Sequence, residues 1–568
     1  MLKNFSCSTR FILIACGALF VAANLFLAQP IAAKPCATIA ITSPLDVKNP
    51  NDGLCTLREA VDAIWFHAAS GPAAGECPAG TGNDTITLPA ATYTLTDTAS
   101  GHIVLTQNTI LNGAGAATTI IQGGVGWNSD IIETFSNTHA QISGVTIRGG
   151  NNSGYGGGIF VSGSSTLALN DSIVTNNAGF QGGGLYNYGG VVTITNSTIQ
   201  LNTSSNDGCG VYAAFGARTT LSNTNVLTNT GTWGGGVYNH SDSALIIFGG
   251  NIISNTAQTW SGGGVFNYSN SSIAISGTVL TKNAAQNYGG GISNMSVNGV
   301  VTIINATVTN NLAGFGAGIS SGASGTRMAI DASSIANNIA TGGSGGGIYN
   351  SSLLTITNSA LANNVANPGA GPVNGLGGGL FTVFTTTITN TTISSNQAYT
   401  GGGIYADAFS APNLTITFAT IAYNQANLGG GMYLAGSPIT NLRNTILALN
   451  QDANQRPDCA GSITSLGYNL IGNNRNCVFA ALASDLVGTN ATPLNPDMRG
   501  LGNYGGATQT HALNWTSPAI DQIPNGTNLC GTTITTDQRG RTRPHHGKCD
   551  IGAYEGWLEP LNLPIIYK

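Results

Sequence analysis

The sequence predicts an all-β protein: a parallel β-helix with a capping α-helix on its N-terminal side and a disulfide-stapled cap on its C-terminal side. Three observations carry this expectation. The first is a triplet Gly-Gly-Gly followed by an aliphatic residue and usually an aromatic one, as in Gly182-Gly183-Gly184-Leu185-Tyr186 and Gly234-Gly235-Gly236-Val237-Tyr238, which returns about every 27 residues. Copies begin at Gly156, Gly182, Gly234, Gly262, Gly289, Gly345, Gly377, Gly401 and Gly429, with degraded ones at Gly208 and Gly316, giving eleven units. A period of this size marks a solenoid, in which a unit can bury its apolar face only against its neighbours; propeller blades usually need about 40 residues or more. The second is strict alternation of aliphatic residues with Thr, as in Leu354-Thr355-Ile356-Thr357, which specifies strands with the aliphatics inward. The third is an Asn that recurs once per unit, at Asn176, Asn202, Asn229, Asn255, Asn283, Asn338, Asn396, Asn424 and Asn450. Asn bonds its local backbone and tolerates the left-handed conformation, so a stacked Asn can satisfy a turn in coil after coil. About 27 residues accommodate three short strands and three turns.

Composition fits an ordered neutral rod. Of 568 residues 80 are Gly, only 7% are charged and 41% are hydrophobic. A disordered chain needs the opposite balance. The net charge of −5 provides no basic footprint for nucleic acid.

The elements follow in order. Lys3 and Arg10 precede an apolar run over 11–27 and the small residues Ala32-Ala33, the layout of a secretory signal cleaved after Ala33. Thr56-Leu57-Arg58-Glu59 is a capping box opening an amphipathic helix whose stripe is Leu57, Val61, Ile64, Trp65 and Ala68, running through Ala69. That helix is expected to lie over the first coil, whose strands begin at Asp84 and Thr92. Repeats occupy 111–440, a C-terminal domain 441–557 and a tail 558–568. No membrane span is expected once the signal is removed. Removing the signal leaves eight cysteines, and all but Cys209 lie outside the repeats. In an exported protein such a set reads as disulfides stapling the caps; spacing suggests Cys55 with Cys77, Cys459 with Cys477 and Cys530 with Cys549, while the pairing of Cys36 and Cys209 stays open.

Several of these motifs resemble known bacterial extracellular modules. Cys55-Thr56-Leu57-Arg58-Glu59-Ala60 resembles the CSLREA domain with Thr in place of Ser, assigning 34–110 to an N-terminal cap of that type and the first coils. The glycine repeats resemble those of chlamydial polymorphic outer-membrane proteins and other right-handed β-helices of pectate-lyase-like fold, which implies a right-handed parallel β-helix here. Gly467-Tyr468-Asn469-Leu470-Ile471-Gly472, Ser517-Pro518-Ala519-Ile520-Asp521 and Cys549-Asp550-Ile551-Gly552-Ala553-Tyr554-Glu555 resemble a choice-of-anchor Q domain. The resemblance implies a secreted or surface-displayed bacterial β-helix and no particular chemistry.

Candidate sites divide by chemistry. Polysaccharide lyases and glycoside hydrolases need paired carboxylates or an acidic Ca²⁺ cluster. No Glu occurs between Glu133 and Glu555, and Asp171, Asp207, Asp242, Asp331 and Asp407 occupy different repeat positions. No catalytic residue is therefore assigned, and no metal site. In the C-terminal domain, His511 with Asp521 and Asp537 would make an acid and base set, Asp537, Asp550 and Glu555 a Ca²⁺ site, and Ser517 with His511 and Asp521 a triad. The favoured reading is an Arg and Asp network that satisfies polar groups where the stack ends. Aromatic residues give the stronger signal: a ladder including Tyr186 and Tyr238 after the inward aliphatic, and a second set, Tyr155, Phe180, Trp233, Trp260, Tyr288, Phe315 and Tyr399, before the glycines. Alternation points the ladder outward. The rings either stack upon each other or form a strip for polysaccharide or protein contact, with Trp233 and Trp260 its principal residues. The leading expectation is a non-catalytic interaction protein for adhesion or glycan binding. The rivals are a polysaccharide-cleaving enzyme and a structural spacer.

Overall fold

The computed structural model describes residues 37–367, 375–410, 413–453 and 457–556. The expected signal segment, Cys36 and the tail lie outside the described residues. The protein is a parallel β-solenoid of about 14 turns, with 45% of residues in strands and 2% in helices. Three turns more than the glycine units arise chiefly at the N-terminal end, where strands such as Asn83–Leu88, Asn108–Gly113 and His139–Ser143 stack without a triplet.

A turn contains four strands rather than three. In one turn these are β1 (Ile159–Val161), β2 (Thr166–Asn170), β3 (Ile173–Thr175) and β4 (Ala178–Gln181). Each pairs in parallel with its counterpart one turn on, for example Ile159 with Leu185 and Leu167 with Val192, the first three without a break in register and β4 with a bulge between Gly179 and Gln181. The strands assemble into sheets of 30, 12 and 16 members, the largest taking two strands per turn. Inward aliphatics such as Val301 and Ile303 are fully buried while their Thr and Ile neighbours face out, so one continuous aliphatic core fills the lumen.

The glycine triplet and the recurrent Asn turn out to be two halves of one corner. Eleven asparagines, Asn177, Asn202, Asn229, Asn255, Asn283, Asn311, Asn338, Asn364, Asn396, Asn424 and Asn450, form an unbroken buried ladder. Asn202 shows the unit: its Nδ2 donates 3.0 Å to Asn229 Oδ1 in the next turn and 3.0 Å to the Val174 carbonyl in the previous one. Its backbone N–H donates to the same Asn229 Oδ1 at 3.0 Å. The first rung is Asn177 and not Asn176, because Asn151 pairs with Ala178 and fixes the register. Asn176 instead takes the left-handed turn (φ 53°), a role filled elsewhere by Leu201, Thr228 and Lys282. The ladder Asn is thus a hydrogen-bonding rung, and the residue before it makes the bend.

The three glycines serve this corner for different reasons. Gly182 has φ +68°, which an L side chain rarely adopts. A Cβ on Gly184 would lie 2.5 Å from the Gly210 carbonyl and 2.9 Å from Asn202 Nδ2, so the third glycine makes room for the ladder. Where the ladder stops, this arrangement changes. Asp458 aligns with the third glycine, as Met432 pairs with Cys459, and its carboxylate takes the place of the missing rung. Its Oδ1 accepts from Asn450 Nδ2 at 2.9 Å and Oδ2 from the Asn473 amide at 2.6 Å.

The N-terminal lid forms as expected, with both halves of the capping box made at Thr56 and Glu59. The helix, α1 (Leu57–Phe66), ends earlier than its stripe suggested, at a left-handed His67, leaving Trp65 and Ala68 exposed. A strand, Ala37–Ala40, precedes it and pairs with Asn83–Leu88. Arg58 forks onto Asp46 at 2.7 and 3.1 Å, both buried, and a disulfide joins Cys55 to Cys77.

Disulfides also join Cys459 to Cys477 and Cys530 to Cys549. Cys209 is a buried free thiol, pushed up to about 12 by burial. The C-terminal region does not simply close the end of the stack. It folds back along the flank of the last turns, where Thr392 donates to Gln538 Oε1 at 2.6 Å, Asn390 Nδ2 to the Thr536 carbonyl at 2.9 Å, and the Ala553 amide to Thr420 Oγ1 at 3.1 Å. Phe418, Ala422 and Ile446 share a core with Ala519, Ile523 and Ile551 beneath it.

Candidate functional site

On β1 and its equivalents the order is aliphatic in, ring out, small or polar in: Leu185, Tyr186, Asn187. The ring therefore stands on the outer wall, as alternation requires. It is nevertheless buried, because neighbouring rings cover it. Tyr186, Tyr212, Tyr238 and Phe266 stack with centroids 4.7, 5.1 and 4.8 Å apart and lie almost wholly out of solvent. Desolvation raises the phenols of Tyr186, Tyr212 and Tyr238 above their ordinary value. Tyr186 and Tyr238, expected as contact residues, are thus supports for the face and not its surface.

What is exposed lies to either side. On the glycine side, Tyr155 sits 6.4 Å from Phe160, and Trp233 stacks on Trp260 at 5.2 Å and 29°. Tyr155 and Trp260 are exposed, Trp260 at 39%, and Trp233 is half-buried against Phe266. On the other side, Tyr188 packs on Phe215 at 4.8 Å, and His240 lies flat on Tyr268 at 5.5 Å and 3°. Tyr188, Phe215 and Tyr268 are exposed. The register corrects one expectation: Tyr155 pairs with Gln181, so Phe180, like Trp260 before Gly262, falls one residue off the row, but only Trp260 reaches a ring of that row, Trp233. The exposed Phe180 ring instead lines a shallow groove with Asn152 and Ser204.

The ladder is interrupted at Ser293 and Ser320, both buried. Tyr288 and Phe315, 5.3 Å apart, reach 6.0 and 6.2 Å from Tyr349 across this gap. Beyond it Tyr349, Phe381, Tyr405 and Tyr433 form a nearly coplanar stack, with interplanar angles of 13, 8 and 6°. Burial pushes Tyr405 up to about 12. Within the first half, Asp207 accepts from Gln181 Nε2 at 2.9 Å, and burial raises its carboxyl.

The C-terminal residues do not assemble the chemistry weighed from sequence. His511 is buried: Nδ1 lies 2.8 Å from the Arg499 carbonyl and Nε2 2.9 Å from Ser394 Oγ, so the ring docks the C-terminal region on the solenoid. Ser517 Oγ donates instead to the Pro496 carbonyl. Every carboxylate oxygen of the expected Ca²⁺ set is engaged. Asp537 holds Arg539 and the amides of Arg541 and Glu555, Asp550 the amides of Asp521 and Gly556, and Glu555 the amides of His545 and Asp550, with Arg543 3.0 Å away. Arg543 also lies 4.0 Å over the Phe418 ring, and Arg539 3.6 Å over Tyr554. On the carboxylate side this is the network of the favoured reading, while Arg543, which donates from Nη2 to the Gly552 carbonyl, keeps Nε and Nη1 buried without a hydrogen-bond partner.

One cluster escaped sequence reasoning. His102, Asp130 and Glu133 converge at the N-terminal foot of the ring face: His102 Nδ1 is 3.0 Å from Asp130 Oδ1 and Nε2 2.7 Å from Glu133 Oε2. Burial alone would lower the imidazole, but the two carboxylates outweigh it and hold it up to about 10. These turns carry no triplet, so aligning triplets leaves them out. The signal that finds them is the register, in which Val104 and Phe160 both pair with Glu133.

No family model and no curated protein matches the chain.

Proposed function

We propose that the protein is an exported, non-catalytic interaction protein that binds neutral polysaccharide along its ring face. One observation carries the reading: exposed rings, Tyr155 and Trp260 on one side and Tyr188, Phe215 and Tyr268 on the other, flank a buried ring ladder. Exposed apolar surface gathered in this way marks interaction sites, and rings fixed by packing lose little freedom on binding. A linear polymer laid along the solenoid axis meets another turn about every 4.8 Å, so weak contacts repeat. The poverty of charge favours a neutral ligand over an acidic one. Three disulfides support an oxidising compartment.

The test is a screen of the mature chain against soluble and insoluble polysaccharides, scored for retention and for new chain ends. Retention without new ends, lost when Trp233 and Trp260 are both replaced by Ala, is the expected result. Unchanged retention in that double variant would remove the ring face from the account, and new chain ends would favour an enzyme.

A further inference from the structure

We propose that His102, Asp130 and Glu133 form a binding site for one divalent transition-metal cation, with Zn²⁺ as the representative probe. The proposal is independent of the polysaccharide reading. Three observations support it.

The first is convergence. One imidazole nitrogen and one oxygen from each carboxylate lie within 4.8 Å of one another. His102 immediately precedes the strand Ile103–Leu105 and Glu133 lies within the strand Ile132–Thr134 of the next turn, their register fixed by the pairing of Ile103 with Ile132. Glu133 is thus held within the sheet, His102 is placed beside it by the strand that follows, and Asp130 lies in the turn two residues before Ile132.

The second is an imbalance on Asp130. This residue is 2% exposed. Its Oδ1 serves Ser129 Oγ at 3.0 Å, Asn152 Nδ2 at 3.4 Å and His102 Nδ1 at 3.0 Å. Its Oδ2 is buried and has no hydrogen-bond partner. A buried carboxylate oxygen without a donor is costly, and a cation removes the cost.

The third is access together with donor chemistry. The side chains of His102 and Glu133 remain 27% and 26% exposed, so an ion can reach the cluster from solvent. One imidazole with two carboxylates is a mixed nitrogen and oxygen set, which suits zinc and its neighbours; Ca²⁺ prefers oxygen alone and six or more ligands.

The experiment is calorimetric titration of the metal-stripped mature chain with Zn²⁺ and, separately, Ca²⁺, accompanied by thermal melts. One Zn²⁺ per chain is expected, raising the melting temperature, with little response to Ca²⁺. His102→Ala should abolish binding, and Glu133→Gln and Asp130→Asn, each removing a ligand charge, should each weaken it by more than about 10-fold, the lower end of what outer partners alone contribute. Glu133→Gln guards against misfolding, since its half-exposed amide keeps the shape of the carboxylate; its melt without zinc reports whether the fold survives. Absence of Zn²⁺ binding in the wild type overturns the proposal, leaving the cluster an ion-pair clamp between turns. Binding that persists unchanged in both His102→Ala and Glu133→Gln overturns it too, because the ion then sits elsewhere.

Discussion

The same repeat builds two ladders of opposite character. Inside the corner, the Asn ladder runs for eleven rungs without a break and ends on a carboxylate that completes it. Outside, the ring ladder breaks at Ser293 and Ser320, tilts by 31 to 41° between Tyr186 and Tyr238, and flattens to 6° by Tyr433. The difference lies in what a missing rung costs. An absent Asn strands buried donors and acceptors, whereas an absent ring can be covered by another ring, as Tyr288 and Phe315 do. Strict periodicity therefore marks what holds the rod together, and the irregular rows beside it are free to be shaped for contact.

The comparison can be tested in steps. The most damaging single change is expected at the third glycine: in Gly264→Ala the Cβ would lie 2.6 Å from the Gly291 carbonyl, so it must push adjacent turns apart. We expect a loss of more than about 4 kcal/mol, or failure to fold, read by circular dichroism and denaturant titration. Next, Asn283→Ala removes the acceptor for the Asn255 amide and Nδ2 and the donor to Ile252. A loss of about 3 kcal/mol is expected, and one below about 1 kcal/mol would show that rungs are as replaceable as rings.

The end of the ladder gives a pH signature. Burial holds Asp458 up to about 6 against an ordinary 3.8. A carboxyl raised in the folded state adds stability that is fully present below 3.8 and lost as pH rises through 6. At about 1.4 kcal/mol per pH unit the swing is at most about 3 kcal/mol. Denaturation of wild type and Asp458→Asn from pH 3.5 to 7 should show the wild type losing ground by up to that amount; parallel curves would contradict it.

A smaller gain is expected in a second, partial ladder one corner on. Asn239 donates to Asn267 Oδ1 at 2.8 Å, but its own buried Oδ1 has no donor, because the aligned residue in the previous turn is Ala213. Ala213→Asn should supply that donor and stabilise by about 1 kcal/mol in denaturant titration. Smallest of all, Trp260→Ala should cost under about 1 kcal/mol of stability while weakening polysaccharide retention, separating the contact rows from the scaffold.

How far the sequence is legible follows the same division. Strand alternation, the glycine corner, the helix cap and the disulfide partners could be read because each is local or strictly periodic. The Asn ladder could be read to within one residue; Asn176 and Asn177 are adjacent, and only the pairing of Asn151 with Ala178 separates them. Ring direction was legible but ring burial was not, since the covering rows depend on register, in which Phe180 falls out of line. The contact between Ser394 and His511 spans 117 residues and has no periodic signature. The His102 cluster was hidden because its turns lack the triplet that aligns the others.

The Asn ladder also has a polarity. Each side-chain amide points its oxygen toward the previous turn and one N–H toward the next, the other N–H returning to a carbonyl of the previous turn, from the Gly150 amide that feeds Asn177 Oδ1 to Asn450. Backbone bonds in the sheets run both ways between turns, as Ile159 N–H to the Gly184 carbonyl and Ala178 N–H to the Gly150 carbonyl illustrate, so their dipoles largely cancel. The eleven side-chain dipoles do not cancel. They add along the axis like the peptide units of a helix, with the positive end at the last rung, where the sequence puts the anionic Asp458. The rod thus carries an internal electrical direction, terminated by a charge of the right sign.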